Sequence, residues 1–201
     1  MTGQELAALL AERGLLTARE AIERVAGEPI RGSWWGHPRS HAIYRELGVL
    51  GGAPGVLCLK LVEGKATFVH RRLWPALARV QRERSLWPEI SAEAKRVIGE
   101  VCLEGPSTAP RELRHELERA LLAIGVEEHT ESGAHRAVLV CFDAWVPPDV
   151  APAADALALD QALAELAAAG FRPPARAAGS RASRRRSAPG SAPRSRRPRP
   201  G

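Results

Sequence analysis

Apolar positions recur at a helical period over residues 3–13, where Leu6, Leu9 and Leu10 alternate with Glu5, Glu12 and Arg13. Gly14 suits the position that ends such a helix. Thr17 followed by Glu20 has the spacing of a capping box, which opens a second helix running to about Ala26. Gly27 and Pro29 stop it. Pro38, with Gly36 or His37 just outside, fits the first turn of a third helix over residues 39–48. Its His41, Ile43, Tyr44 and Leu47 predict one buried stripe. After the loop at residues 51–55, two strand-like runs, 56–61 and 65–70, flank Glu63-Gly64, a favoured two-residue hairpin connection. Lys60, Lys65 and Thr67 fall among Leu57, Leu59, Leu61, Phe68 and Val69, so the hairpin is expected to keep one face in water.

The helical period returns from about Pro75, with Leu77 and Val80 inward, Arg79, Arg82 and Arg84 outward, and Trp87-Pro88 as the stop. Ser91 is an N-cap for a helix to about Leu103, and Ile90 with Ala94 has the spacing of a hydrophobic staple. Residues 104–110 form a loop. Residues 110–124 give the clearest amphipathic pattern: Leu113, Leu117, Leu121 and Ile124 on one side, Arg111, His115 and Arg119 on the other, with Gly125 as cap. Strands at 126–130 and 136–142 follow, joined by a turn at 131–134. Asp149 or Pro152 starts an alanine-rich helix that ends at Gly170, with Leu157, Leu163 and Leu166 on its sticky side. From Arg172 the chain contains only Arg, Ser, Pro, Ala and Gly, a composition that buries no core and predicts disorder.

These elements predict an α+β fold, mostly helical. Helix, loop, helix and hairpin over residues 89–145 is the order of a winged helix-turn-helix, with the middle helix of that fold short or missing at residues 105–110. The chain then divides into a helical and hairpin region (1–88), a winged-helix-like module (89–146), an Ala-rich helix (147–171) and an arginine-rich tail (172–201).

Charge changes this picture in one respect. The net charge is +6, but residues 172–201 hold ten arginines and no acid. The remaining nineteen basic residues face all twenty-three acids, so residues 1–171 carry a net charge near −4. The tail is expected to bind polyanions weakly, without sequence preference and with strong salt dependence; a solvated tail without a selected role is the plainer alternative. Cys58, Cys102 and Cys141 are too scattered for a disulfide framework and predict reduced core cysteines in a cytoplasmic protein, with the nucleoid as an alternative address. No apolar run of about 18 residues or signal-like start is present, so no membrane partner is expected.

Residues 31–41, Arg-Gly-Ser-Trp-Trp-Gly-His-Pro-Arg-Ser-His, are the hardest to explain by folding alone. Adjacent positions point in different directions, so one of the two indoles should reach a surface. Trp34 and Trp35 suit base stacking, with Arg31 and Arg39 holding phosphates; a core indole with a partly exposed neighbour is the bland alternative. His37 and His41 stand one helical turn apart, but only Cys58 and His70 offer further zinc ligands, so no metal or other cofactor is predicted. A histidine acting in proton transfer, with Glu28 orienting it, is the weak catalytic candidate. Arg111, His115 and Arg119, together with His135 and Arg136 beside the wing turn, are candidate DNA contacts. An ordinary solvated face, diluted by Glu112, Glu116 and Glu118, is the alternative.

The Arg31-Gly-Ser-Trp-Trp-Gly-His stretch, with Gly125-Val-Glu-Glu-His-Thr-Glu-Ser-Gly-Ala-His and Trp145, resembles the small bacterial proteins described as AlkZ-related. That resemblance covers roughly residues 18–146 and implies kinship with the winged-helix DNA glycosylases that excise alkylated or cross-linked bases. Those enzymes are described as placing the attacking water with a Gln-x-Gln or Gln-x-Asp pair. Here Gln4, Gln81 and Gln161 form no such pair, so no glycosylase active site carries over. The expectation is a DNA-associated protein in a repair context, with DNA as its non-specific partner and its oligomeric state open. An active glycosylase or other hydrolase with a pocket at Trp34, Trp35 and His37, or a protein-interaction scaffold, are the competing readings.

Overall fold

Helix starts form where a side-chain oxygen meets an orphan backbone amide. In the computed structural model, which describes residues 1–129 and 135–174, Thr2 caps α1 (Gly3–Arg13) in a full capping box with Glu5. Thr17 caps α2 (Ala18–Ala26) by accepting from the Glu20 amide at 3.2 Å. Only half of the predicted box forms there. The Glu20 carboxylate instead accepts from Arg24 at 2.9 Å and from Arg13. Its partial burial opposes ionisation, but the two guanidiniums outweigh that and hold its pKa below the usual carboxylate value.

Between α1 and α2 the chain forms β1 (Leu15–Thr17), a strand too short to carry a periodic signal. After α3 (Ser40–Gly51), β2 (Val56–Val62) and β3 (Lys65–His70) form the expected hairpin. Its turn residues both take positive φ, 52° at Glu63 and 70° at Gly64, the twist that suits a two-residue connection. The antiparallel sheet runs β1-β3-β2. Its two faces feed separate cores. Leu15, Leu57, Leu59, Leu61 and Val69 enter a central core, while Leu16 and Phe68 enter an N-terminal core with Leu6, Leu10, Val25, Ile43 and Leu50. The expected solvated face therefore survives only towards Cys58 and Ala66, because α1–α3 cover its other end.

The central core is completed by α4 (Trp74–Arg82) and by residues far along the chain: Leu121, Ile124, Phe142, Val150, Ala154, Ala162, Leu166 and Phe171. Arg84 is exposed, as its spacing predicts, but its guanidinium is also tied to the protein. It donates to the Gln81 and Ala120 carbonyls, at 3.1 and 3.0 Å, and the partial burial of the guanidinium lowers its pKa.

A third core joins α5 (Ala92–Glu104), α6 (Arg111–Arg119) and the hairpin of β4 (Ala123–His129) and β5 (His135–Cys141), through Val97, Val101, Leu113, Leu117 and Leu139. Ser91 caps α5, accepting from the Ala94 amide at 3.1 Å. Ser107, between α5 and α6, forms an antiparallel bridge with Leu139. Here two expectations fail. The amphipathic helix ends at Arg119, not Ile124, because Leu121 turns the chain at φ 49° and enters the central core. Gly125 is accordingly a strand residue paired with Leu139, not a helix cap. The cysteines also differ from expectation: Cys102 on α5 is disulfide-bonded to Cys141 on β5, and Cys58 alone is free. Packing of α5 on β5 brings together two residues 39 apart in sequence.

The short α7 (Phe142–Trp145) leads to the alanine-rich stretch, which is two helices and not one: α8 (Val150–Ala156) and α9 (Leu159–Ala168). Both pack on α4. Leu157 and Ala158 are extended between them, and Arg79 donates to the Leu157 carbonyl at 3.2 Å. The predicted turn at 131–134 and the tail from residue 175 lie outside the described residues.

Candidate functional site

The Trp34–Trp35 stretch begins where α2 ends. Gly27 closes α2 at φ 85°, and Arg39 reaches back to donate to the Ala26 carbonyl at 3.0 Å. The chain then makes a 3-10 turn over Trp34–Gly36, with the Ser33 hydroxyl accepting from the Trp35 amide at 3.4 Å. Trp34 is half-buried against the N-terminal core. Trp35 is 64% exposed and stacks on Trp34 with centroids 4.0 Å apart and planes 24° apart. As adjacency predicts, one indole is anchored and the other reaches water.

Tyr44 extends this aromatic group, 6.1 Å from Trp35. It is 60% exposed, and His41 is exposed beside it on α3. Neither belongs to a buried stripe. Ile43 and Leu50 alone are fully buried on α3, because only one side of the helix rests on α1 and α2.

The structure brings Glu28 and His37 together, with His37 Nε2 3.0 Å from a Glu28 oxygen. The other ring nitrogen, Nδ1, accepts from the Arg39 amide at 3.1 Å. Accepting there leaves the ring proton on Nε2, facing Glu28. Both nitrogens are thus occupied in bracing the turn before α3. Arg31 is exposed and has no partner among the described residues.

The second group of predicted residues lies on α6. Leu113 and Leu117 face the third core, and Arg111 and Arg119 are exposed. Arg114 and His115 are half-buried beside them; Arg114 was not singled out from sequence. The acids of this helix divide. Glu116 accepts from the amide and the hydroxyl of Ser91. Glu118, 7% exposed, accepts from Lys60 Nζ at 2.6 Å. No ion pair engages Arg111, Arg114, His115 or Arg119 among the described residues. Glu112 remains exposed on this face, and Glu89, Glu112 and Glu116 line a cleft of about 210 Å³ beside His115 and Arg119. Arg136 is exposed on β5, and the side chain of His135 lies outside what is described.

The Lys60–Glu118 pair also went unpredicted, since its members are 58 residues apart. It ties the edge of β2 to α6. A cleft of about 560 Å³ lies on one side of it, bordered by Glu63, Arg119, Leu121 and Arg172. A smaller one of about 260 Å³ lies on the other, bordered by Cys58, Ala66 and Gly125. Gly125 is required here, because a β-carbon at that position would run into the Glu118 carboxylate.

The Trp35 surface thus stands on the N-terminal core and the α6 surface on the third. Among the described residues no helix is long and apolar enough to cross a membrane, and no group of three His, Cys, Asp or Glu side chains is placed to hold a metal ion. No protein-family model, curated protein or solved structure matches the chain.

Proposed function

We propose that this chain is a DNA-associated protein whose region from α5 to β5 is a reduced winged helix, related to the AlkZ-type glycosylase group and lacking base-excision chemistry of its own. The observation that carries the reading is the sorting of charge on α6. Glu118 is buried against Lys60 and Glu116 accepts from Ser91, while Arg111, Arg114, His115 and Arg119 are engaged in no ion pair among the described residues. Arg111 and Arg119 are thereby free of ion pairs among those residues, which suits phosphate contact from a recognition helix, with Glu112 and Glu116 sharing the cleft beside His115 and Arg119. A helix, a single bridging residue, a helix and a hairpin follow one another, and Ser107 is tied to the hairpin by its bridge to Leu139, an order that suits a winged helix. The departure is the missing middle helix: α6 follows the bridge directly.

A hydrolase centred on His37 has less support, since neither ring nitrogen is left to take a proton from a substrate. A protein-binding scaffold would suit the acidic balance of residues 1–171, but no feature of α6 requires it.

The test separates domain from tail. Residues 1–174 contain all three cores, and this truncated chain is titrated with duplex DNA beside the full chain at two salt concentrations. The expected result is residual duplex binding, with a dissociation constant on the order of 10–100 µM at physiological salt, and tighter binding by the full chain. Loss of all binding on removal of the tail would leave α6 without a role in DNA contact.

A further inference from the structure

Trp35 presents one face to water while its other face lies on Trp34, and the fold invests several contacts in keeping it so. The half-buried Trp34 fixes the floor, Tyr44 closes a flank, and the Trp34 carbonyl accepts from the His37 amide at 3.0 Å. The Glu28–His37–Arg39 bracing holds the turn from below. Gly36 has open space where a side chain would stand. Leaving an indole in water forgoes the stabilisation of its burial, and no residue of the described chain covers it.

The charges around this surface select its ligand. Arg31 precedes the turn and has no partner among the described residues, Arg39 follows it, and His41 lies on the Tyr44 side of α3 at helical spacing. The acids nearby are engaged: Glu28 with His37, and Glu46 with Arg45 and the Gly3 amide. A rigid aromatic face with a cationic rim repels organic cations and the chain's own arginines. It offers a neutral sugar no use for its charges, whereas an unpaired nucleobase finds a stacking partner and its backbone a counter-charge.

We infer that Trp35, backed by Trp34 and flanked by Tyr44, is a stacking platform for unpaired bases of a single-stranded nucleic acid, with Arg31 and Arg39 receiving the adjoining phosphates. This extends the reading above by naming the form of nucleic acid recognised, and it rests on residues of a different core.

The experiment uses the full chain and its tryptophan emission. A short oligothymidylate is titrated against the native protein and Trp35→Ala, with inorganic polyphosphate as the anion without bases. The expected result is quenching by the oligonucleotide only, with affinity about 5- to 150-fold weaker in Trp35→Ala. Trp35→Leu, which keeps apolar bulk without a stacking face, is the second variant should the alanine form not fold, and it should weaken binding similarly. Equal quenching by polyphosphate, or unchanged affinity in both variants, overturns the inference. Quenching by a neutral oligosaccharide in place of the oligonucleotide assigns the platform to glycans, and an emission change on raising protein concentration alone assigns it to self-association. Reversing Arg111 and Arg119 to Glu should leave the oligothymidylate response intact while weakening duplex binding, so the failure of either surface is seen separately.

Discussion

Lys60 and Glu118 meet from opposite parts of the chain, and the carboxylate is the more deeply buried partner. Replacing Lys60 by Met strands that charge in a nearly dry site. The expected loss is about 1–3 kcal/mol in urea unfolding, below the cost for a fully buried pair because Lys60 is one-third exposed. Gly125→Ala should act on the same contact by displacing the Glu118 carboxylate. The Lys60→Met/Gly125→Ala double variant should therefore lose less than the sum of the single losses; strict additivity would show that Gly125 serves something else. His70 gives a pH-dependent counterpart. Partial burial, then the neighbouring Arg72 and Arg71, lower its pKa, and its Nδ1 accepts from the Arg72 amide at 3.4 Å. The folded protein thus holds His70 neutral where the unfolded chain binds a proton. Stability should fall as pH drops below about 6.5 towards the folded value, and His70→Gln should remove that part of the pH profile. At this scale the sequence reveals that one tryptophan of an adjacent pair is exposed, since that follows from backbone geometry alone. It conceals Tyr44 as Trp35's neighbour and Lys60 as Glu118's, because each requires knowing which elements meet.

Elements with local signals were legible. Thr17 and Ser91 cap the helices they precede, Gly27 ends one, and Glu63-Gly64 turns the hairpin. Each signal sits within a few residues of its effect. The misread elements are those whose limits are set by tertiary contact. The helix after Pro110 stops at a leucine in a left-handed conformation, without the glycine that usually marks such an end, because the Leu121 side chain is wanted in the central core. The break between α8 and α9 falls at Leu157-Ala158, with neither glycine nor proline, where Leu157 packs inward and Arg79 takes its carbonyl. These two helices shield α4, so Leu166→Ala, at a fully buried site, should cost about 2–5 kcal/mol in thermal or urea unfolding. A loss under 0.5 kcal/mol would mean that α9 does not seal the core. The Cys102–Cys141 link was hidden in the same way. For a separation of 39 residues, its removal should lower stability by up to about 4 kcal/mol. Dithiothreitol should shift the urea midpoint of the native chain and leave that of Cys102→Ser unmoved.

Across the whole molecule, the net charge of +6 conceals an acidic balance in residues 1–171 and a basic tail, and the proposed function depends on how the first part arranges its exposed cations. Two groups of them are set on separate cores, one along α6 and one around the Trp35 platform. The division into helical and hairpin parts was legible from period changes. That the central core would gather residues from Leu15 to Phe171 was not, since no local pattern encodes such distant packing. The measurement that bears most directly on the proposed role of α6 is the salt dependence of duplex binding by residues 1–174, compared with the Arg111→Glu/Arg119→Glu variant. If α6 meets the phosphate backbone, binding should weaken and the slope of log K against log salt should fall by about 2, one for each cation removed. An unchanged affinity and slope would contradict it.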